Sequence, residues 1–180
     1  MIRLFVAIAL PTEVQDRVAA LCAGLTGTRW TEAENLHLTV RFIGDVDNAG
    51  LADIDAALMQ LRAPAFSLTL SGVGSFGNAG GVRAVWVGVQ REPLLQHLRD
   101  KIESALVRTG LPPEKQKFKP HVTLTRSRRR GDVRLQEFMA QHSLFQAGPF
   151  AVEGFMLFSS FLSHNGAIYT PERLYPLKPP

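Results

Sequence analysis

A short phrase occurs twice in the chain, and it constrains the possible folds more than any other feature. The first copy, residues 37–40, reads His-Leu-Thr-Val, and the second, residues 121–124, reads His-Val-Thr-Leu. The two histidines are 84 positions apart (121 minus 37). The alternation of polar and apolar residues in each copy is typical of a β-strand with one buried face. We expect the two copies to face each other across a cleft and to act on one phosphate together.

The same order of elements surrounds both copies. Residues 2–25 have the pattern of a strand and a helix before the first motif strand, and residues 84–106 repeat it before the second. Helix and strand patterns also follow each motif strand, over residues 51–73 and 135–158. An internal duplication predicts one unit used twice. We therefore predict an α+β fold in which residues 1–180 form a single domain of two pseudo-symmetric lobes, with antiparallel sheets lining a central groove and helices packed outside.

Strand alternation assigns the side chains of the motif strands to two faces. The groove face is predicted to carry three residues of each strand, namely His37, Thr39 and Arg41 of the first and His121, Thr123 and Thr125 of the second. Leu38, Val40 and Phe42 fall on the opposite, core-facing side of the first strand. By the same rule, Arg126 points away from His121.

Two histidines that share one phosphate are suited to acid–base catalysis. Imidazole titrates near neutral pH, so one ring can accept a proton while the other donates one. The hydroxyls of Thr39 and Thr123 supply hydrogen-bond donors for non-bridging phosphate oxygens. A metal site is the competing chemistry, but it requires further ligands. Neither motif strand carries a carboxylate on its histidine face, so we expect no metal.

Charge and composition favour a folded protein with an anionic substrate. The net charge is +4 and the isoelectric point is about 9.6, which favours a nucleotide or an RNA end. No apolar run approaches the roughly 18 residues of a membrane span. The apolar run at residues 4–10 is followed directly by Pro11 and a polar segment, without a cleavage region. We expect a cytoplasmic protein that makes no membrane contact.

A glycine-rich segment at residues 72–81 contains a GxGxxG match at Gly72, Gly74 and Gly77. The dinucleotide-binding form of this motif also requires a helix that opens on the motif and an acidic residue about twenty positions later. Here a strand pattern follows, at residues 84–89. We therefore expect a flexible turn beside the cleft rather than a nucleotide-cofactor loop.

The paired phrases resemble the two HxTx motifs of the 2H phosphoesterase superfamily. The sequence around them is similar to a narrower group, the bacterial and archaeal RNA 2′,3′-cyclic phosphodiesterases, also called 2′-5′ RNA ligases. The similarity extends over essentially the whole chain. The segments that carry it are residues 3–8, 35–44, 82–88, 157–161 and 169–171.

This resemblance implies a bilobal α+β fold with a central groove and no cofactor. It also implies metal-independent opening of a 2′,3′-cyclic phosphate at an RNA 3′ end, which leaves a 2′-phosphomonoester. Carried over by motif position, His37 is the general acid on the departing 3′ oxygen and His121 is the general base that activates water. Thr39 and Thr123 hold the phosphate. The two motifs are symmetric, so the residues alone do not assign acid and base.

Further candidates for substrate contact are Arg126, Arg41, Phe42 and Phe161. Arg126 follows the second motif at a position where the resembled family often has arginine. The basic run at residues 126–130 can bind an RNA backbone or form a solvated loop. Phe42 and Phe161 can stack on a base or pack in the core.

Two other interpretations remain open. The same site can act on a small cyclic nucleotide or an ADP-ribose cyclic phosphate, or can join RNA halves through a 2′-5′ bond. A non-catalytic RNA-binding module with a β-sheet platform is the alternative of another class, and it predicts RNA binding that survives loss of both histidines. In either case we expect a monomer.

Overall fold

The computed structural model describes residues 1–78, 81–129, 133–164 and 166–179, with the backbone alone at 127–129. The strands within these ranges are β1 (Ile2–Ala9), β2 (His37–Val46), β3 (Phe66–Asn78), β4 (Gly81–Val89), β5 (His121–Arg129), β6 (Gln146–Val152), β7 (Gly154–Ser163) and β8 (Gly166–Pro176). The helices are α1 (Thr12–Ala19), α2 (Asn48–Met59), α3 (Pro93–Arg108) and α4 (Val133–Gln141). A 3-10 turn, Ala33–Asn35, precedes β2. No helix in the described ranges is long and apolar enough to cross a membrane.

All eight strands belong to one antiparallel sheet, in the order β6-β3-β4-β5-β2-β1-β7-β8. The two motif strands, β2 and β5, are neighbours at its centre. They share a single paired position, Leu38 with Val122, so the two halves of the sheet separate on either side of it. The predicted α+β fold is confirmed, with one continuous sheet in which two four-stranded halves meet at the motif strands.

The two halves have matching arrangements and different routes through the sequence. Each motif strand is followed outwards by the strand that precedes it in the chain, β1 in one half and β4 in the other. The half with β5 is formed by residues 66–152, without interruption. The half with β2 combines β1 and β2 with the late strands β7 and β8. Because one half is inserted within the other, we propose that residues 1–180 form one domain of two pseudo-symmetric lobes.

The core lies between the helices and one face of the sheet. Four apolar residues of the motif strands are almost completely buried there: Leu38, Val40, Val122 and Leu124. They belong to one cluster with residues from all four helices, including Val18, Ile54, Leu98, Ile102 and Phe138. Burial of this apolar surface accounts for most of the driving force for folding. The helices therefore cover one face of the sheet and leave the histidine face open.

The two helices of the first half begin differently. Asp47 caps α2, because its Oδ1 accepts from the Gly50 amide at 2.8 Å. The helix α1 begins at Thr12 without a side-chain cap and ends at Ala19, whereas the sequence pattern of this strand and helix extended to residue 25.

The prediction of a flexible turn at residues 72–81 is wrong for residues 72–78, which belong to a strand, while residues 79–80 lie outside what the structure describes. β3 continues through it to Asn78 and pairs with β4, where Gly74 lies opposite Trp86. A Cβ on Gly74 would lie 2.3 Å from the Trp86 indole, and a Cβ on Gly88 would lie 2.7 Å from the Ser71 carbonyl oxygen. Gly74 is therefore required by the packing of the indole, and Gly88 by the close approach of the Ser71 backbone.

Candidate active site

The register between the motif strands brings the two HxT sequences together. Antiparallel pairing of Leu38 with Val122 places His37 opposite Thr123, and Thr39 opposite the other histidine. Since Leu38 and Val122 point into the core, the four polar side chains share the open face. Each histidine is thereby combined with the threonine of the other strand.

Both imidazoles are oriented by the same local interaction. Nδ1 of His37 lies 2.7 Å from the carbonyl oxygen of Asn35, and Nδ1 of His121 lies 2.6 Å from that of Lys119. A carbonyl can only accept, so each Nδ1 is the protonated nitrogen and each Nε2 is the one that can exchange a proton. Nε2 of His37 lies 3.0 Å from Oγ1 of Thr39, which donates to it in the neutral state.

A β-bulge follows the motif in both strands. In β2, Thr39 and Arg41 pair with consecutive residues of β1, which leaves Val40 as the extra residue. In β5, Thr123 and Thr125 pair with consecutive residues of β4, which leaves Leu124 extra. The bulges occupy equivalent positions, three residues after each histidine. A bulge places two successive residues on the same side of the strand and thereby reverses the alternation beyond it.

The bulges change which residues enter the groove. Arg126 lines a cavity together with His37, Thr39 and Thr123. Phe42 is the equivalent of Arg126 in β2, since each lies five residues after its motif histidine. Phe42 is 51% exposed. It pairs with Phe5, whose ring contacts that of His37. The expectations from strict alternation, that Arg126 points away from the groove and Phe42 into the core, are therefore wrong.

The structure places Arg41 outside the groove, so the prediction that it shares the face of His37 is wrong. Its side chain is only 8% exposed, and Nε lies 2.6 Å from a carboxylate oxygen of Glu103 in α3. Nη2 donates to the carbonyl of Pro112 at 2.8 Å, and Nη1 donates to the carbonyl of Phe42. Because these partners occupy the guanidinium, we assign it no contact with substrate.

Thr125, predicted to share the face of His121, is likewise buried, at 1% exposure. Phe161 is 69% exposed and pairs with Ile168. The pairing of β7 is regular from Phe158 to Phe161, so Phe161 lies on the sheet face opposite Phe158. It does not line the groove cavity. In the predicted basic run, Arg130 and the side chains of residues 127–129 lie outside what the structure describes.

Aromatic side chains that sequence reasoning missed surround the histidines. The rings of Phe5 and Tyr169 lie 4.9 and 5.2 Å from that of His37, with Tyr169 edge-on. The rings of Phe76 and Trp86 lie 4.8 and 6.1 Å from that of His121. These residues come from β1, β8, β3 and β4, each of which is separated in sequence from the motif strand whose histidine it contacts. For Trp86, the sequence signal was a nearby glycine. Glycine within a strand often marks a place where another group comes close to the backbone, as the indole does at Gly74.

The surroundings keep both histidines neutral in the free protein. Burial is the main cause that lowers the pKa of His37 to about 4, and the positive charges of Arg126 and His121 lower it further, against the Asn35 hydrogen bond. Burial also lowers the pKa of His121, and Arg126 again contributes. That one guanidinium acts on both rings shows that it lies near both.

A cavity of about 240 Å³ opens beside His37, Thr39 and Thr123. It lies between the loop before β2 and the β7–β8 hairpin, and its walls include Trp30, Glu32 and Tyr169. A larger cavity of about 920 Å³ lies between α2 and α3, and no motif residue reaches it. The smaller cavity, unlike the larger one, is lined by the motif residues His37, Thr39 and Thr123.

No group of three or more metal-ligating side chains occurs among the described residues. Two imidazoles, two hydroxyls and the guanidinium of Arg126 lie at the junction of the motif strands, and Arg29 and Glu32 line the same cavity. Such a set can hold an anion and exchange protons with it.

Comparison with known proteins agrees with this geometry. A family model described as the 2′-5′ RNA ligase superfamily matches residues 5–160. An RNA 2′,3′-cyclic phosphodiesterase of Archaeoglobus fulgidus is 32% identical over 176 residues, which cover 96% of this chain and 99% of that protein. One of Aeropyrum pernix is 37% identical over 149 residues, which cover 82% and 84%. The crystal structure of E. coli LigT complexed with 3′-AMP has 28% identity and a TM-score of 0.81 over 98% of each chain. The resemblance seen in the sequence is confirmed, and the chain belongs to the 2′-5′ RNA ligase superfamily.

Proposed function

We propose that the protein hydrolyses 2′,3′-cyclic phosphates at RNA 3′ ends to 2′-phosphomonoesters, without a metal. The observation that carries the proposal is the matched pair of histidines, each with Nδ1 bonded to a backbone carbonyl. The pairing of Leu38 with Val122 places the two HxT motifs side by side, and His37, both threonines and Arg126 line one cavity. This arrangement supplies a proton acceptor, a proton donor and anion ligands for displacement at phosphorus.

The comparisons and the cavity support the choice of substrate class. The relatives from A. fulgidus and A. pernix are named as RNA 2′,3′-cyclic phosphodiesterases, and E. coli LigT was crystallised with a 3′-nucleotide. In this protein the cavity beside His37 has two aromatic walls, Trp30 and Tyr169. Aromatic rings stack on unpaired bases, as recognition of a single-stranded RNA end requires. We propose that the terminal nucleoside binds there and that its phosphate lies between the histidines.

The reaction needs one proton transfer at each histidine. Nε2 of His121 takes a proton from a water molecule whose oxygen attacks phosphorus. The bond between phosphorus and the 3′ oxygen breaks, and Nε2 of His37 gives its proton to that oxygen. Thr39, Thr123 and Arg126 bind the non-bridging oxygens. The product is a 2′-phosphomonoester, and proton exchange with solvent restores the starting state of both rings.

The proposed roles require the substrate to change the protonation order. In the free protein, His37 has the more strongly lowered pKa, so His121 is the first of the two to take a proton. A bound phosphate anion raises the pKa of a neighbouring imidazole. We propose that the anion, placed beside His37 with the 3′ oxygen, moves the shared proton to that ring. A protonated His121 lowers the pKa of His37, so a proton on one ring disfavours a proton on the other until the anion binds.

Ligation is the second candidate, because the same displacement with the 5′ hydroxyl of a second RNA in place of water leaves a 2′-5′ bond, and the family is named for it. Small cyclic nucleotides, including an ADP-ribose cyclic phosphate, fit the same site in principle. A cytoplasmic location and a monomeric state stay predictions.

The deciding experiment combines product identity with metal removal. Purified protein is incubated with an oligoribonucleotide that ends in a 2′,3′-cyclic phosphate, in the presence of EDTA. We expect a 2′-phosphomonoester at an undiminished rate, and no turnover with H37A or H121A. A 3′-phosphomonoester, a loss of activity in EDTA that added metal restores, or normal turnover of either variant contradicts the proposal. RNA binding that persists in both inactive variants, with no hydrolysis by the unmodified protein, supports the binding-module alternative.

A further inference from the structure

Two polar side chains are buried among the described residues, and they occupy equivalent positions. Arg41 is 8% exposed and Thr125 is 1% exposed. Each lies four residues after a motif histidine and directly after the bulge (41 minus 37; 125 minus 121). A buried polar group is costly unless it is fully hydrogen-bonded. The hydrogen-bond partners of the two residues therefore indicate their role.

Arg41 is bonded to the loop that leads into the other motif strand. Its guanidinium donates to the carbonyl of Pro112, in the segment between α3 and β5. It also pairs with Glu103, whose second carboxylate oxygen accepts from the amide of Glu114 at 2.7 Å. This segment continues to Lys119, the residue whose carbonyl orients His121. Arg41, on the first motif strand, thus holds the segment whose Lys119 carbonyl accepts from His121.

Thr125 makes the reciprocal connection. Its hydroxyl donates to the carbonyl of Arg29 at 2.7 Å, in the segment between α1 and β2. Next to it, the amide of Thr31 donates to the carbonyl of Leu124 at 2.7 Å, and Trp30 forms a bridge with Thr125. This segment continues to Asn35, whose carbonyl orients His37. An anchor on the second motif strand thus fixes the support of the first histidine.

We propose that Arg41 and Thr125 are reciprocal positioning residues, each holding the loop that orients the histidine of the opposite motif strand. Neither residue contacts the substrate. The bulges at Val40 and Leu124 make the arrangement possible, because they turn the following side chain out of the groove and towards the opposite loop. The two half-sites are in this way coupled across the shallow junction of the sheet, where the strands share one paired position. The consequence for turnover rests on the proposed two-histidine reaction, whereas the orientation of the rings does not.

The test is the tautomer of each imidazole, read from its nitrogen chemical shifts by NMR in the substrate-free protein. In the unmodified protein, both rings are expected to carry the neutral proton on Nδ1. T125V removes one hydroxyl at nearly constant volume. We expect it to mix the tautomers of His37 while His121 stays unchanged. R41K keeps the charge beside Glu103 but loses the fork that reaches Pro112. We expect it to mix the tautomers of His121 while His37 stays unchanged.

Matched controls separate positioning from general loss of structure. T170V removes a hydroxyl from the exposed strand β8, and R3K alters an exposed bidentate pair with Asp45 on neighbouring strands. Both are expected to leave both rings as they are. If R41K does not fold, the double variant R41M/E103Q removes the charge pair together and is measured in its place. A change confined to the histidine of the mutated strand, an equal change in both, or a change in neither overturns the proposal.

Turnover gives the second readout. We expect T125V and R41K each to lower kcat by tenfold or more with little change in KM, since a misplaced catalytic group slows the reaction by up to about 100-fold. Absence of any cyclic phosphodiesterase activity in the unmodified protein would count against the proposed function alone, because the tautomer measurement needs no substrate. Normal kcat together with an unchanged tautomer pattern counts against the positioning role.

Discussion

Arg126 occupies in β5 the position that Phe42 occupies in β2, five residues after the motif histidine and two after the bulge. The groove is symmetric in its histidines and threonines, but the two halves differ in charge at this pair. Phe42 contributes an exposed ring, and Arg126 contributes a cation that lowers the pKa of both histidines. We propose that the difference gives a bound anion a preferred partner in Arg126.

Replacement of Arg126 by methionine is expected to lower kcat/KM for a cyclic phosphate by about 100-fold, the usual effect of removing one ligand of a developing oxyanion. The same change removes a positive charge near both imidazoles, so their pKa values should rise. Steady-state rates and histidine titration by NMR measure the two effects. R83M, which removes the same charge from an exposed position on neighbouring β4, is the control. Equal losses in both variants would indicate a general effect of net charge.

The leaving group distinguishes the proposed acid from the proposed base. A nitrophenolate departs without protonation, so the general acid contributes little to its release. We expect H37A to retain much of its activity on a nucleoside 2′-(4-nitrophenyl phosphate) while losing roughly 100-fold or more on a cyclic phosphate. H121A should lose activity on both, because water still requires a base. The opposite result would exchange the two roles.

The pH dependence of kcat/KM should have its maximum on the acidic side of pH 6.5. This ratio reports the free enzyme, in which His37 has a pKa of about 4 and that of His121 is also below its ordinary value of 6.5. As the pH rises through the higher of the two pKa values, the ring that is still protonated loses its Nε2 proton. Since no general acid then remains, kcat/KM falls. In the complex, the phosphate anion raises these values, so the optimum of kcat should lie at higher pH. Coinciding optima above pH 7 would contradict the neutral state of both rings.

The proposed nucleoside cavity predicts a separation of binding from chemistry. Replacement of Tyr169 by leucine keeps apolar packing against Phe5 and removes the stacking ring. Loss of one base–aromatic contact, worth about 1–3 kcal/mol, should raise KM by roughly 5- to 150-fold with a smaller change in kcat. An RNA whose terminal residue lacks its base should show no such difference. F161L, on the opposite face of the sheet, should behave like the unmodified protein; an increase in KM there would place the base elsewhere.

The sequence was sufficient to place the two motif histidines on one face, because their pattern is local. Each His-x-Thr phrase lies within one strand, and alternation over three residues is too short for an irregularity to intervene. The same rule failed at Arg41, Thr125, Arg126 and Phe42. One extra residue in each strand reverses the faces beyond it, and a bulge depends on how β1 and β4 pair with the motif strands.

The residues that surround the histidines could not be predicted from the sequence, for a related reason. The carbonyls of Asn35 and Lys119 have no sequence signature, since every residue carries a carbonyl. The aromatic rings of Tyr169 and Phe76 reach the groove through strand pairings made over long separations. The glycine pattern at residues 72–81 was visible but was interpreted as a turn. Gly74 is explained by Trp86 and Gly77 by the backbone of the facing strand, and both contacts follow only from the pairing of β3 with β4.

The unequal routes of the two half-sheets bear on how the protein emerges from the ribosome. Residues 66–152 contain every strand of the half that carries His121, so this half can pair before translation is complete. The half that carries His37 needs β7 and β8, whose last strand ends at Pro176. Chains are synthesised from the amino terminus, and early segments wait for their partners. The histidine made first therefore acquires its complete half-sheet last, because β1 cannot pair with β7 until residues 154–163 have been made.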